Sequence, residues 1–195
     1  FDQVIRAVVG FAAAVDQLGD RVGLLVYDAL LRAEVAPRRG RGLVATVMSE
    51  LMSVEPTLRE ADHAGALATV MGRDRGRSTV VMFTELDAPV VEERLLPALA
   101  AHRGSGSVIV AALRDPHLEN LAAGGDLSSS SLALAAAAAR RLAQRLASAR
   151  AIDSLGVTVV DATPPCVVPG IVAAFQRMRS RETEANGPRS VRVVR

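Results

Sequence analysis

Two carboxylates stand where an α/β protein would place a site. Glu85 and Asp87 follow the apolar run Val80-Val81-Met82-Phe83, with Thr84 between. A run this short and apolar on both faces suits a strand buried inside a parallel sheet. In open α/β sheets, sites form just beyond the carboxyl ends of central strands. Glu85 and Asp87 are therefore candidates for holding a cation or a partner, and Asp87 has the alternative of favouring a helix N-terminus through the helix dipole. Arg38, Arg39 and Arg41 form a second group, a basic loop suited either to an acidic partner or to solvent. The other polar residues read as structural. Asp28 belongs to a hairpin, Asp115 precedes Pro116 in a turn, Asp161 and Thr163 cap a helix, and Ser128 to Ser131 supply N-caps. His63, His102 and His117 lie on separate elements without partners at metal spacing and read as ordinary side chains, His63 with the alternative of lining the site face.

Composition removes several chemistries. All 23 basic residues are Arg, so a Schiff-base lysine or a P-loop lysine is excluded. Gly104-Ser105-Gly106 is neither a nucleophile elbow nor a phosphate-binding loop. Net charge is only +2, and the Arg-rich spots lack interleaved aromatics, which argues against nucleic acid. Cys166 is the only cysteine, which excludes intramolecular disulfides and, beside Val167 and Val168, reads as a small buried residue. With 50% hydrophobic but 3% aromatic residues, the core must be Ala, Val and Leu. The longest apolar runs are too short to span a bilayer. The chain opens on Phe1 rather than Met, so a piece of a longer protein is expected.

These residues need elements to hold them. Phe1 to Leu18 is apolar round most of a helix, and Gly19 suits its C-cap. Val22 to Tyr27 and Leu30 to Val35 read as a hairpin, the second strand at an edge because of Pro37. Helices follow over 43–54 and 61–71, then the strand ending at Thr84. A helix over 90–102 should kink or restart near Leu95 because of Pro97. Ser107 to Leu113 is a buried strand, and His117 to Asp126 reads as irregular. A helix over 132–152, a strand over 157–160 and a helix over 167–181 complete the pattern, with 182–195 as a polar tail in which Val191, Val193 and Val194 could form a strand. Strands alternating with helices predict an α/β fold: a mostly parallel open sheet, Rossmann-type, with helices on both faces and an antiparallel edge hairpin.

The segments Gly19 to Asp28, Pro37 to Gly40, Phe83 to Asp87 and Leu155 to Pro164, in this order, resemble a bacterial family with a von Willebrand factor A-like domain, domain of unknown function 58. The resemblance covers about residues 1–181. It implies a metal-ion-dependent adhesion site built from a DxSxS motif after the first strand, a Thr in a later loop and an Asp after a central strand, where a divalent ion such as Mg²⁺ is held by oxygens. This chain departs from that pattern. Phe1 already lies in the helix that should follow DxSxS, Ala61 stands about where the Thr should be with Asp62 adjacent, and Glu85 stands where the Asp should be. Asp62, Glu85 and Asp87 remain the weak metal candidates of a degenerate site, and no cofactor is expected. The resemblance also implies a non-enzymatic interaction domain that is an adaptor or partner of a MoxR-type AAA ATPase, cytoplasmic or on the cytoplasmic side of a membrane-anchored parent. Arg38, Arg39, Arg41, Glu85 and Asp87 would meet the partner. The alternative is a small-molecule or nucleotide-binding protein using the same strand ends. The absent first strand would be central, so stability requires a strand from upstream sequence, from another chain or from Val191–Val194.

Overall fold

The computed structural model describes residues 2–57, 59–74, 78–104, 106–124, 129–183 and 190–194. Helix α1 (Asp2–Gln17) forms because Ile5, Val8, Phe11, Ala12 and Val15 recur at helical spacing and are all buried. Gly19, at φ 81, turns the chain in the left-handed conformation that costs glycine least. Strand β1 (Arg21–Tyr27) then pairs antiparallel with β2 (Leu31–Arg38), as the hairpin reading expects. Helices α2 (Leu43–Met52) and α3 (His63–Asp74) lead to β3 (Ser78–Phe83), in which every residue is buried.

Three helical pieces follow end to end: α4 (Ala88–Val90), a π-helical turn (Val91–Leu95) and α5 (Leu96–Ala101). Pro97 has no N–H to offer the preceding turn, and the widened turn before it takes up the misfit, as such turns do inside helices. After β4 (Ser107–Leu113) comes α6 (Pro116–Ala123). This corrects the irregular reading of that segment. Asp115 is its N-cap, accepting from the His117 N–H at 2.9 Å, with Pro116 in the first turn. Helix α7 (Ser129–Ser154), β5 (Thr158–Ala162), α8 (Pro164–Thr183) and β6 (Ser190–Val194) complete the order. Of the expected serine caps, Ser128 lies outside the described residues.

The six strands lie in the order β2-β1-β6-β3-β4-β5, parallel throughout except for the β1–β2 hairpin. The central gap is filled from within the chain. β6 sits between β1 and β3, parallel to both, with Val191 and Val193 level with Val22 and Leu24 on one side and Thr79 and Val81 on the other. Residues 190–194, expected in a polar tail, thus form a central strand.

Alternation along the strands divides two cores. Val22, Leu24, Val26, Val81, Phe83, Ile109, Val191 and Val193 face α1, α2 and α8. Leu25, Val80, Met82, Val110 and Val194 face α3, the π turn, α5 and Ile152 of α7. Both faces are covered, which is why the strands read as continuous apolar runs. Cys166 is exposed, against the buried reading. It lies in the first turn of α8, and the roughly 100° step per helical residue turns it outward while Val167 is buried. No described helix is long and apolar enough to cross a membrane.

Candidate functional site

The site gathers at the carboxyl end of β1. Asp28 closes the hairpin tip: its Oδ1 accepts from Leu30 N at 2.9 Å, and its Oδ2 accepts from Arg32 Nε at 2.8 Å and from the Thr57 hydroxyl at 2.7 Å. The Thr57 hydroxyl, then the Leu30 N–H, hold the Asp28 carboxyl below its usual pKa. Asp28 thus fixes both the hairpin and the loop leading to α3, and its carbonyl accepts from Asp62 N at 2.9 Å. The hairpin role read from the sequence is met, extended by the tie to Thr57.

Asp62 precedes α3 and accepts from Gly65 N at 2.9 Å, satisfying one of the free N–H groups of the first turn. Gly65 leaves room for this: a Cβ there would lie 2.2 Å from Asp62 Oδ2. The cap sets the position of His63, the first residue of α3. His63 is 4% exposed, and its Nδ1 lies 2.6 Å from the Tyr27 hydroxyl, with the rings edge to face at 5.8 Å.

The protonation of this pair follows from its surroundings. Burial, then the Asp62 charge, push the Tyr27 phenol well above its usual pKa, so it keeps its proton. Burial, then the neighbouring Arg94 charge, push the imidazole below its usual 6.5, with Asp62 opposing. A neutral imidazole has one donor and one acceptor nitrogen. With the Tyr27 hydroxyl donating to Nδ1, the proton sits on Nε2. Nε2 is buried and has no hydrogen-bond partner among the described residues.

His63 lines a cleft of about 810 Å³, whereas Tyr27 lines two smaller pockets of about 240 and 190 Å³ on its other flanks. One cleft wall is the 59–64 segment with Arg59, Glu60 and Asp62, and the other is the π turn and α5 with Glu93, Arg94 and Pro97. An Arg94–Glu60 ion pair ties the walls together. This arrangement can accept hydrogen-bonding and charged groups of both signs.

The sequence-derived candidates are dispersed. Glu85 is exposed beyond β3, at the same end of the sheet as the cleft. Asp87 occupies the N-cap position of α4 but makes no side-chain cap bond, pairing instead with Arg141 of α7. Arg38, Arg39 and Arg41 lie at the opposite end of the sheet, where Arg38 pairs with Val22 at the start of β1 and Arg39 donates to the Gly19 carbonyl at 3.3 Å. The two halves of the expected partner surface are thus separated by the length of the strands. Asp161 is not a cap: Arg145 grips it through Nε and Nη2 at 2.8–3.1 Å. The residues do not fit the divalent-ion site that the resemblance implies. Asp62 Oδ1 caps α3, Asp87 pairs with Arg141, and no group of three His, Cys, Asp or Glu able to hold a metal occurs among the described residues.

Tyr27, Arg59 and Arg94 were not singled out from the sequence, and Glu60 only as an alternative to Asp62 for favouring the helix N-terminus through its dipole. The available signal was Asp62-His63 ahead of a helix, where a polar side chain at the first helical position is brought under the end of the neighbouring strand. A family model described as "Protein of unknown function DUF58" matches residues 2–162. No curated protein and no solved structure matches the chain.

Proposed function

The chain belongs to the DUF58 family, and from that premise we propose that it is a non-enzymatic interaction domain that receives a protein partner at the carboxyl ends of its strands. The partner is a AAA ATPase of MoxR type, as the von Willebrand A-like resemblance implies. The domain works on the cytoplasmic side and uses no cofactor. The observation that carries this reading is the wide cleft between the 59–64 segment and the π turn, with charges of both signs on its walls. The adjoining pocket is flanked by Leu30 and Leu31, which are 59% and 52% exposed. Apolar side chains beside a charged rim are the composition of a protein-binding patch.

The test is binding of a purified MoxR-type ATPase to the chain by calorimetry. Arg59→Glu and Arg94→Glu are expected to weaken binding at least about tenfold, the size of an ordinary interface hot spot. Arg38→Glu with Arg39→Glu, at the far end of the sheet, is expected to leave it unchanged. Loss of binding only in the far-end variant would overturn the location. A rise in melting temperature with a nucleotide would replace the reading by small-molecule binding.

A further inference from the structure

The Arg94–Glu60 pair that joins the cleft walls is lopsided. The Glu60 side chain is 76% exposed and that of Arg94 41%. Glu60 belongs to the irregular segment before α3, whereas Arg94 belongs to a π turn packed through Val91 and Leu95, both fully buried. Arg94 also stands close enough to the buried imidazole to influence it electrostatically. The backbone that holds Arg94 is therefore the better anchored of the two, and Glu60 is a solvent-exposed anion on its guanidinium. An exposed ion pair contributes little net stability, about 0–1 kcal/mol, so the exchange of one carboxylate for another there is cheap.

The imidazole supplies the second half of a carboxylate site. His63 is 4% exposed, and its Nε2–H is a buried donor with no acceptor among the described residues. Leaving such a donor unmatched is costly, about 1–3 kcal/mol. Nδ1 is turned to Tyr27, so Nε2 occupies the other flank of the ring, and His63 lines the large cleft while Tyr27 does not. A guanidinium offers several donors and accepts a carboxylate in a fixed geometry.

We propose that this cleft binds a single carboxylate side chain, aspartate or glutamate, of a protein partner, which displaces Glu60 from Arg94 and accepts a hydrogen bond from His63 Nε2. Glu60 is then an internal stand-in that holds the site until the partner's acid arrives. Asp62 and Glu93 also border the cleft. Their charges disfavour a run of acids and select an isolated one. The proposal rests on the interaction-domain reading and names the chemistry its partner presents.

The test uses the whole chain labelled with ¹⁵N at histidine, titrated with a short capped peptide holding one central glutamate and with its glutamine counterpart. The glutamate peptide is expected to shift the His63 Nε2 resonance saturably and the glutamine peptide to leave it in place. Arg94→Gln should abolish the shift, and Glu60→Gln, which empties the stand-in, should tighten binding by up to about fivefold, the most an exposed ion pair withholds. Both are exposed surface changes that leave the core alone. An unmoved Nε2, an equal response to the glutamine peptide, or unchanged affinity in Arg94→Gln would overturn the proposal. The two readings fail separately. A chain that answers the peptide and ignores the ATPase loses its named partner and keeps the site. A chain that binds the ATPase and ignores the peptide loses only the site.

Discussion

His63 carries a consequence for stability as well as for binding. Burial and Arg94 hold its folded pKa below the unfolded value of 6.5. Between those two values the unfolded chain binds the extra proton, so stability is complete above about pH 6.5 and declines as pH falls below it. The slope approaches at most about 1.4 kcal/mol per pH unit for one proton. Urea midpoints measured at pH 7.5 and 5.5 should therefore drop more in the parent chain than in His63→Gln. Equal drops would remove His63 as the group responsible. Little of this pair was legible in the sequence. Tyr27 and His63 are 36 positions apart, and each alone is an unremarkable polar residue at the end of an element. What joins them is the tie from Asp28 to the loop before α3, a three-dimensional fact that no spacing rule encodes. Glu85 and Asp87 were legible because they sit next to an unmistakable strand. That proximity fixes their end of the sheet but not their partners: Asp87 went to Arg141, which lies 54 positions along the chain on α7.

At the scale of elements, the hairpin is the most tightly specified unit. Its register shifts between Val22 and Leu24, and Gly23 stands at that irregularity. A Cβ on Gly23 would lie 3.0 Å from the Val35 carbonyl oxygen and 3.1 Å from Pro37 Cγ. The strand backbone cannot retreat without disturbing the ladder, as expected of a glycine at a bulge where another chain comes close. Gly23→Ala should cost about 1–3 kcal/mol through overpacking, seen as a lower urea midpoint with an unchanged slope. A midpoint within error of the parent would mean that Pro37 yields freely. The buried strands were readable because parallel sheets covered on both faces demand continuous apolar runs. α6 was not, since its eight residues bury no side chain. Without an apolar stripe only Asp115-Pro116 marked it, and an Asp-Pro pair also begins turns.

For the whole molecule, the decisive element is β6. A sheet with β1 and β3 on either side of an empty slot would leave two rows of N–H and C=O groups unpaired and the inner faces of both strands exposed. β6 removes both costs. It pairs with β1 and β3 along five residues each, and it buries Val191, Val193 and Val194 at 0–1% exposure. Arg192, also in this strand and 5% exposed, reaches Glu34 of β2 at 3.7 Å across β1. The strand therefore links the hairpin to the β3-β4-β5 half. From the sequence, three valines in a polar C-terminal segment were a weak signal, because local pattern says nothing about which gap a strand will fill. The energetics show what the gap required. Each buried valine contributes about 1.5–3 kcal/mol and each ladder bond a net 0.5–1.5 kcal/mol or so. The total is comparable with the roughly 5–15 kcal/mol that holds a domain folded. Removing residues 184–195 should accordingly abolish the cooperative thermal transition in circular dichroism. A synthetic peptide of residues 184–195 should restore it in a concentration-dependent way, since a strand that binds only the folded sheet stabilises it by mass action. Val193→Lys, which puts an unpaired charge against the α1–α8 core, should have an effect close to the deletion. If the truncated chain melted cooperatively within a few degrees of the full one, the sheet would have closed β1 directly onto β3, and β6 would be an accessory rather than the centre of the fold.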